Sequence, residues 1–206
     1  IVSTAPLAVT RTLYPTPTGP VISGAVEVFP VDQWGTSFRL PVGENITTPH
    51  LFELTSVFVM AYQDSTTFAI DSNADGTYDL ERTLDQGEEW YAPATMTVNL
   101  GATIVSNKPI QVHLGMGDID TNYAMDWTSL VPCDQAAPDY YTPVGTTRST
   151  YPSTVFVHNP YDDLLRILYT HTTTFGSGFF DVPARSTYVY TMPGDTGARF
   201  SSADGR

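Results

Sequence analysis

Apolar and polar residues alternate along much of the chain, the two-residue period of strands whose side chains point to opposite faces. Segment 77–84 shows it plainly: Tyr78, Leu80, Arg82 and Leu84 share one face, and Thr77, Asp79, Glu81 and Thr83 the other. The same reading predicts strands at 6–14, 24–31, 37–42 and 66–71, with turn-rich links such as TPTGP at 16–20. LFELTSVFVMAYQ at 51–63 is long and apolar, which predicts a central strand buried on both faces. MTVNL (96–100), ATIVS and PIQVHLG (109–115) read as three further strands. Thr, Val, Tyr and Phe are frequent, and no long helical run occurs, so the class is all-β. No apolar run approaches the ~18–20 residues of a membrane-crossing helix.

The pattern also repeats. IVSTAPLAV at 1–9 returns as IVSNKPIQV at 104–112, an offset of 103 residues. FPVDQWGTSFRLPVG at 29–43 aligns without a gap on VPCDQAAPDYYTPVG at 131–145, at an offset of 102. SVFV at 56–59 answers TVFV at 154–157. Internal repetition of this kind is the signature of a duplicated structural unit. The expectation is two tandem β-sandwich-like repeats, residues 1–103 and 104–206, with a boundary that strand sharing would move to about 115–130. A propeller-like arrangement of small blades is the alternative. ADGR at 203–206 stops where the next IVS would begin. That phase fits a unit of a longer tandem array, or a last sheet closed by a strand from elsewhere.

Charge narrows the partners. The net charge of −13, with only 9 basic residues, disfavours nucleic acid and anionic membranes, both of which need clustered Lys and Arg. Cations are the natural company of such a surface. A single cysteine, Cys133, allows no intrachain disulfide and is expected buried or half-buried.

The sharpest chemical signal is Asp71-Ser-Asn73-Ala-Asp75-Gly76-Thr77-Tyr-Asp79. Oxygen-bearing side chains stand at positions 1, 3, 5 and 9, with glycine where the chain must turn. Calcium takes roughly six to eight oxygens. Asp71, Asn73 and Asp75, the Thr77 carbonyl and Asp79, directly or through water, form a candidate set. An EF-hand would need a Glu where Arg82 stands and helices on both sides. The loop instead resembles the calcium hairpins of integrin-type propeller repeats. A metal-free Asp/Asn/Gly turn is the plain alternative. The matching stretch of the second copy, 169–178, has no carboxylate. A weaker set, Asp118, Asp120, Asn122 and Asp126, shares the spacing, but Tyr123 replaces the glycine. A solvated acidic linker is the competing reading there.

No catalytic constellation emerges. His50, His113, His158 and His171 are scattered, with no HExxH or HxH pair. Gly176-Ser177-Gly178 is not a nucleophile elbow. Glu88-Glu89-Trp90-Tyr91 would suit a sugar site, but aromatic residues alternating in a strand usually serve a core. Asn45-Ile46-Thr47 is an N-glycosylation sequon in a predicted loop.

Trp34-Gly35-Thr36, Val59-Met60-Ala61, Gly87-Glu88 and the segment from Gly101 through Val112 together resemble the IgGFc-binding N-terminal domain family. The second copy is looser, with Ala136-Ala137 for Trp34-Gly35 and Asp204-Gly205 for Lys108-Pro109. The resemblance implies an extracellular, multi-copy β-domain of large mucin-associated and microbial surface proteins, with binding or structural roles. It carries no assignment of immunoglobulin as a ligand. The expectation is a calcium-stabilised structural or adhesive module, not an enzyme. It would assemble with copies of itself or neighbouring repeats into a surface layer, sheath, fibre or large adhesin. The rival is a carbohydrate-binding or carbohydrate-active domain whose platform is Trp34, Trp90 and Trp127.

Overall fold

The structure, a computed structural model, describes residues 4–5, 7–12, 24–47, 52–118, 125–143, 145–147, 152–172 and 175–206. It is all-β and antiparallel, and it divides into two compact units, residues 1–135 and 136–206. The first holds β1 (Thr10–Thr12), β2 (Ala25–Glu27), β3 (Gly35–Arg39), β4 (Leu54–Ala61), β5 (Thr66–Asp71), β6 (Leu80–Leu84), β7 (Glu89–Tyr91), β8 (Thr103–Gly117) and β9 (Met125–Ser129).

β8 organises this unit. Its first part, 103–106, lies between β3 and β5, and its second part, 110–117, runs beside β4, with β9 on the far side. Pro109 stands at the changeover, where neither β5 nor β4 needs an amide from it. The β3 partner absorbs the bend through a register shift between Gly35 and Ser37. One strand thus belongs to two layers. Phe68 of β5 meets Trp90 of β7 across them at 5.3 Å. Phe38, Phe68, Ile70, Ile104, Val57, Val59, Val112 and Leu114 are fully buried in this unit.

The second unit holds β10 (Asp139–Thr142), β11 (Thr154–His158), β12 (Leu165–His171), β13 (Ser177–Val182), β14 (Thr187–Thr191) and β15 (Ala198–Ser202). One sheet runs β10-β15-β12-β13 and the other β11-β14. Leu165, Ile167, Phe180, Val182, Met192, Ala198 and Phe200 form its core, with Val155, Val157, Tyr169 and Tyr190 packed against them. Burial raises the Tyr190 hydroxyl to about 12, helped by the neighbouring Tyr169. These orders match those of the first unit in part, without a link like that between β8 and β4. β3-β8-β5-β6 corresponds to β10-β15-β12-β13, and β4-β7 to β11-β14. The architecture is sandwich-like. β8 pairs with β3, β4 and β5, and β15 with β10 and β12, crossovers that the sequential meander of a propeller blade does not make.

Several expectations are corrected. β4 is not buried on both faces: Thr55, Val57, Val59 and Ala61 point inward, while Ser56 and Phe58 are half-buried and Met60 exposed. Its run of apolar residues includes side chains that serve the outward face. Segment 96–100 is not a strand. Its backbone serves neighbouring loops instead: the Val98 carbonyl accepts from Glu44 N, and Asn99 N donates to the Ser72 carbonyl. ATIVS and PIQVHLG are one strand, and the region expected as an acidic linker contains β9. Cys133 is exposed, in a single 3-10 turn, Cys133–Gln135. β8 pairs with four strands of the first unit, β3, β4, β5 and β9, and the compact units part at 135/136.

The Pro-Val-Gly motif of each copy is held by close backbone approach. A Cβ on Gly43 would lie 2.1 Å from the backbone of Asn99 and Leu100. One on Gly145 would lie 2.6 Å from the Pro193 carbonyl oxygen. Backbone cannot yield as a flexible side chain does, so Gly43→Ala and Gly145→Ala should each cost about 1–3 kcal/mol. Thermal unfolding of the two variants checks this; melting at the wild-type temperature would refute the close approach.

Candidate functional site

The outward face of the layer β7-β4-β8-β9 is the most chemically unusual surface described. Strand alternation sends Ile110, Val112 and Leu114 to the core and Gln111 and His113 the other way. Register then sets Tyr91, Phe58 and His113 in one row, and Glu89, Met60 and Gln111 in the next. Gly115 supplies no side chain, and a Cβ there would press on Phe58 at 3.3 Å. Phe58 occupies that space, with its ring 4.3 Å from Trp127 and 6.2 Å from Tyr91, stacked on the latter. Arg11 of β1 lies over this face, 4.9 Å from the Trp127 ring and 6.0 Å from that of Phe58.

Polar groups beneath that cover lack partners. Gln111 is 6% exposed and His113 5%, yet Gln111 Nε2 and both ring nitrogens of His113 have no hydrogen-bond partner among the described residues. A buried polar group left unpaired costs about 1–3 kcal/mol. Arg11, Phe58, Val59, Met60, Glu89, Gln111 and His113 line a half-open void of about 30 Å³. Burial, and then the charge of Arg11, pull the His113 imidazole below its ordinary range and favour its neutral form. Sequence reading treated His113 as an isolated histidine. The signal was the alternation Gln-x-His in a strand, which becomes a site only once register sets it beside β4 and β7.

The acidic loop joins β5 to β6. Asp71 is buried at its root and accepts from the amides of Asp75, at 3.2 Å, and Gly76, at 2.8 Å. The Asn73 side-chain oxygen shares that Asp75 amide at 2.9 Å, so Asp71 and Asn73 converge. Asp75 accepts from the Thr77 amide and from Asn73 Nδ2. Positive φ values at Ala74 and Gly76 produce the turn. Asp79 turns elsewhere. It accepts from the Ser72 hydroxyl at 2.8 Å and the Ser72 amide at 2.7 Å, and these bonds, the hydroxyl's foremost, hold its carboxyl below the usual range. The structure therefore brings Asp71, Asn73 and Asp75 together, with Asp79 Oδ2 engaged by Ser72 beside them. Their oxygens suit a hard cation in kind. Among the described residues, no group of three or more His, Cys, Asp or Glu side chains is arranged to hold a metal.

In the weaker set, Asp118 is buried and Asp126 exposed, with Asp126 accepting from the Trp127 amide; Asp120 and Asn122 lie outside the described residues, as does His50. Asn45 is exposed in a turn, its side-chain oxygen accepting from the Leu100 amide. Glu88 caps the β6–β7 turn through the Asp85 amide, while Glu89 reaches the void. The three tryptophans have separate partners. Trp34 meets Tyr62, Trp90 meets Phe68 and Trp127 meets Phe58, so no shared Trp platform forms. His171 bonds to the Tyr190 hydroxyl and His158 to the Thr187 hydroxyl.

A family model described as IgGFc binding protein matches residues 20–203. No curated protein and no solved structure matches the chain. No described helix is long and apolar enough to cross a membrane.

His113 gives this face a pH signature. Its pKa is lower folded than unfolded, so its contribution is intact above the ordinary imidazole value of about 6.5 and is lost as pH falls below it. His113→Leu should flatten the stability profile as pH falls below about 6.5. It should cost no stability at neutral pH, because it removes two unpaired buried nitrogens. Chemical denaturation across that range checks both; an unchanged slope in the variant would refute the assignment.

Proposed function

The chain belongs to the IgGFc binding protein family, and on that premise we propose that it is an extracellular structural or adhesive module made of two copies of one strand unit. The copies are taken to divide near 103/104 in sequence. It associates with copies of itself, or with neighbouring repeats, in a surface layer, sheath, fibre or large adhesin. The observation that carries this reading is the strand order repeated in the two units, β3-β8-β5-β6 with β4-β7 and β10-β15-β12-β13 with β11-β14. A block used twice in one chain is a block suited to arrays. The family's description names a binding protein and no reaction, which favours a binding or structural role over catalysis. Immunoglobulin is the ligand in that description and is not assigned to this chain.

The surface supports contact with other chains. On the second unit's sheet, Leu168 pairs across strands with Phe179, and both are exposed, as is Tyr141. Arg166 lies 4.3 Å from the Phe179 ring, and Arg199 5.9 Å from that of Tyr141. Aromatic and arginine side chains in this mixture are enriched where proteins bind one another. Asn45, exposed in its turn, is the proposed attachment point for a glycan.

Calcium is the proposed stabilising ion, held by Asp71, Asn73, Asp75, the Thr77 carbonyl and Asp79. The ion would offset repulsion among carboxylates in a chain of net charge −13 and stiffen the β5–β6 hairpin. Both Ser72 bonds fall on Asp79 Oδ2, so Oδ1 is the oxygen Asp79 would bring to the set.

Sedimentation of the chain with calcium and with a chelator tests the assembly. Larger species with calcium are expected, and a monomer under every condition would overturn that part of the reading. Melting curves test the ion separately. Calcium at a hundred times its dissociation constant should stabilise the fold by about 2.7 kcal/mol. Asp75→Ala should abolish the gain, and no gain in the wild type would remove calcium from the account.

A further inference from the structure

We propose that the void on the outward face of β7-β4-β8-β9 is a binding site for a neutral sugar residue of a glycan, one hydroxyl or hydroxymethyl group of which seats against Gln111 and His113. This goes beyond the assembly reading and does not depend on it.

The floor of the void sets the chemistry. Gln111 Nε2 is a donor, and neutral His113 offers one donor and one acceptor, all without partners among the described residues and each almost fully covered, so a hydroxyl reaches them once a lining side chain shifts. The small group that both donates and accepts is a hydroxyl. At about 30 Å³ the void takes such a group but not a whole ring. The rest of the ligand must lie outside, against the rim.

That rim suits a sugar. Tyr91 is 62% exposed and stacks at 28° on Phe58, and Met60 stands beside them, 37% exposed. Together they make an apolar ledge next to the opening. A pyranose has an apolar C–H face and a polar edge, so it can rest on the ledge while one hydroxyl enters the void. Glu89 and Arg11 also line the opening, an acceptor and a donor for neighbouring hydroxyls.

Other ligands fit less well. A carboxylate or sulfate would find Arg11 but would face Glu89 in the same opening, above an imidazole that burial keeps uncharged. A metal cation would meet one carboxylate and a guanidinium that repels it. A purely apolar ligand would leave Gln111 and His113 unpaired at the cost already given.

The test uses the full chain with methyl glycosides of neutral hexoses, followed by arrays of neutral and sialylated glycans. The site-specific readout is the nitrogen chemical shift of the His113 side chain. A saturable shift with at least one neutral hexoside is expected, with tryptophan fluorescence changing in parallel through Trp127. Tyr91→Ala, at an exposed position, should weaken binding about tenfold, with its melting temperature measured in parallel. Gln111→Leu should weaken it by at least as much, with melting temperature reported alongside. Binding confined to sialylated glycans would overturn the proposal in favour of an anion site at Arg11. A His113 signal unmoved by every neutral glycoside would leave the void to ordered water and overturn it as well. So would binding that survives Tyr91→Ala undiminished.

Discussion

One strand has to satisfy two sheets. β8 is 15 residues long, and its hydrogen bonds pass from β3 and β5 to β4 and β9 along its length. A straight strand cannot do this, because its donors and acceptors lie in one sheet plane. Asn107, Lys108 and Pro109 supply the bend. Proline gives up an amide where none is required, the Ser106 hydroxyl donates to the Lys108 carbonyl, and Asn107 accepts the Thr67 amide that would otherwise face solvent. The two layers of the first unit are therefore held at a fixed distance by a covalent link as well as by their core. Everything else described in that unit is positioned from β8: the acidic hairpin through β5, and the aromatic face through β4 and β9.

Much of the fold was legible because alternation and repetition are properties of the chain itself. The strands β5 and β6, among others, follow directly from residues that alternate, and the repeated sequence pointed to a recurring strand unit. What was not legible depended on partners distant in sequence. The apolar run at 51–63 suggested two buried faces because Phe58 and Met60 look like core residues. Their neighbours on the outward face, Tyr91, His113 and Trp127, come from 30 to 70 residues away, and only register identifies them. Segment 96–100 has strand-forming residues, but its amides and carbonyls are engaged by the loops at Ser72 and Glu44. Local preference lost to tertiary hydrogen bonding there.

The candidate sites divide along the same line. Asp71, Asn73, Asp75 and Asp79 stand within nine residues, so spacing alone made them visible, but spacing could not show that Asp79 is turned to Ser72. Gln111 and His113 had no motif to announce them. They are conspicuous only through burial without partners, and burial is a property of the folded chain. The tryptophans make the converse point: three prominent residues suggested a platform, and the fold sends each to a different ring.

The two units share strand order but not chemistry. The hairpin between β12 and β13, which corresponds to the acidic loop, has no carboxylate, and β15, at five residues, corresponds only to the first part of β8. Gln111 and His113 lie in the other part. Both unusual features therefore belong to the first unit: the β5–β6 pairing under the acidic hairpin recurs as β12–β13, whereas the β4–β8 pairing under the void has no counterpart at β15. Features required for folding should persist wherever the order persists, as the crowded glycines of the two Pro-Val-Gly motifs do. Features found in one copy alone are not required by the order. The acidic hairpin, whose supporting strand pair recurs without it, is thus better explained by what the first unit contacts than by how either unit folds.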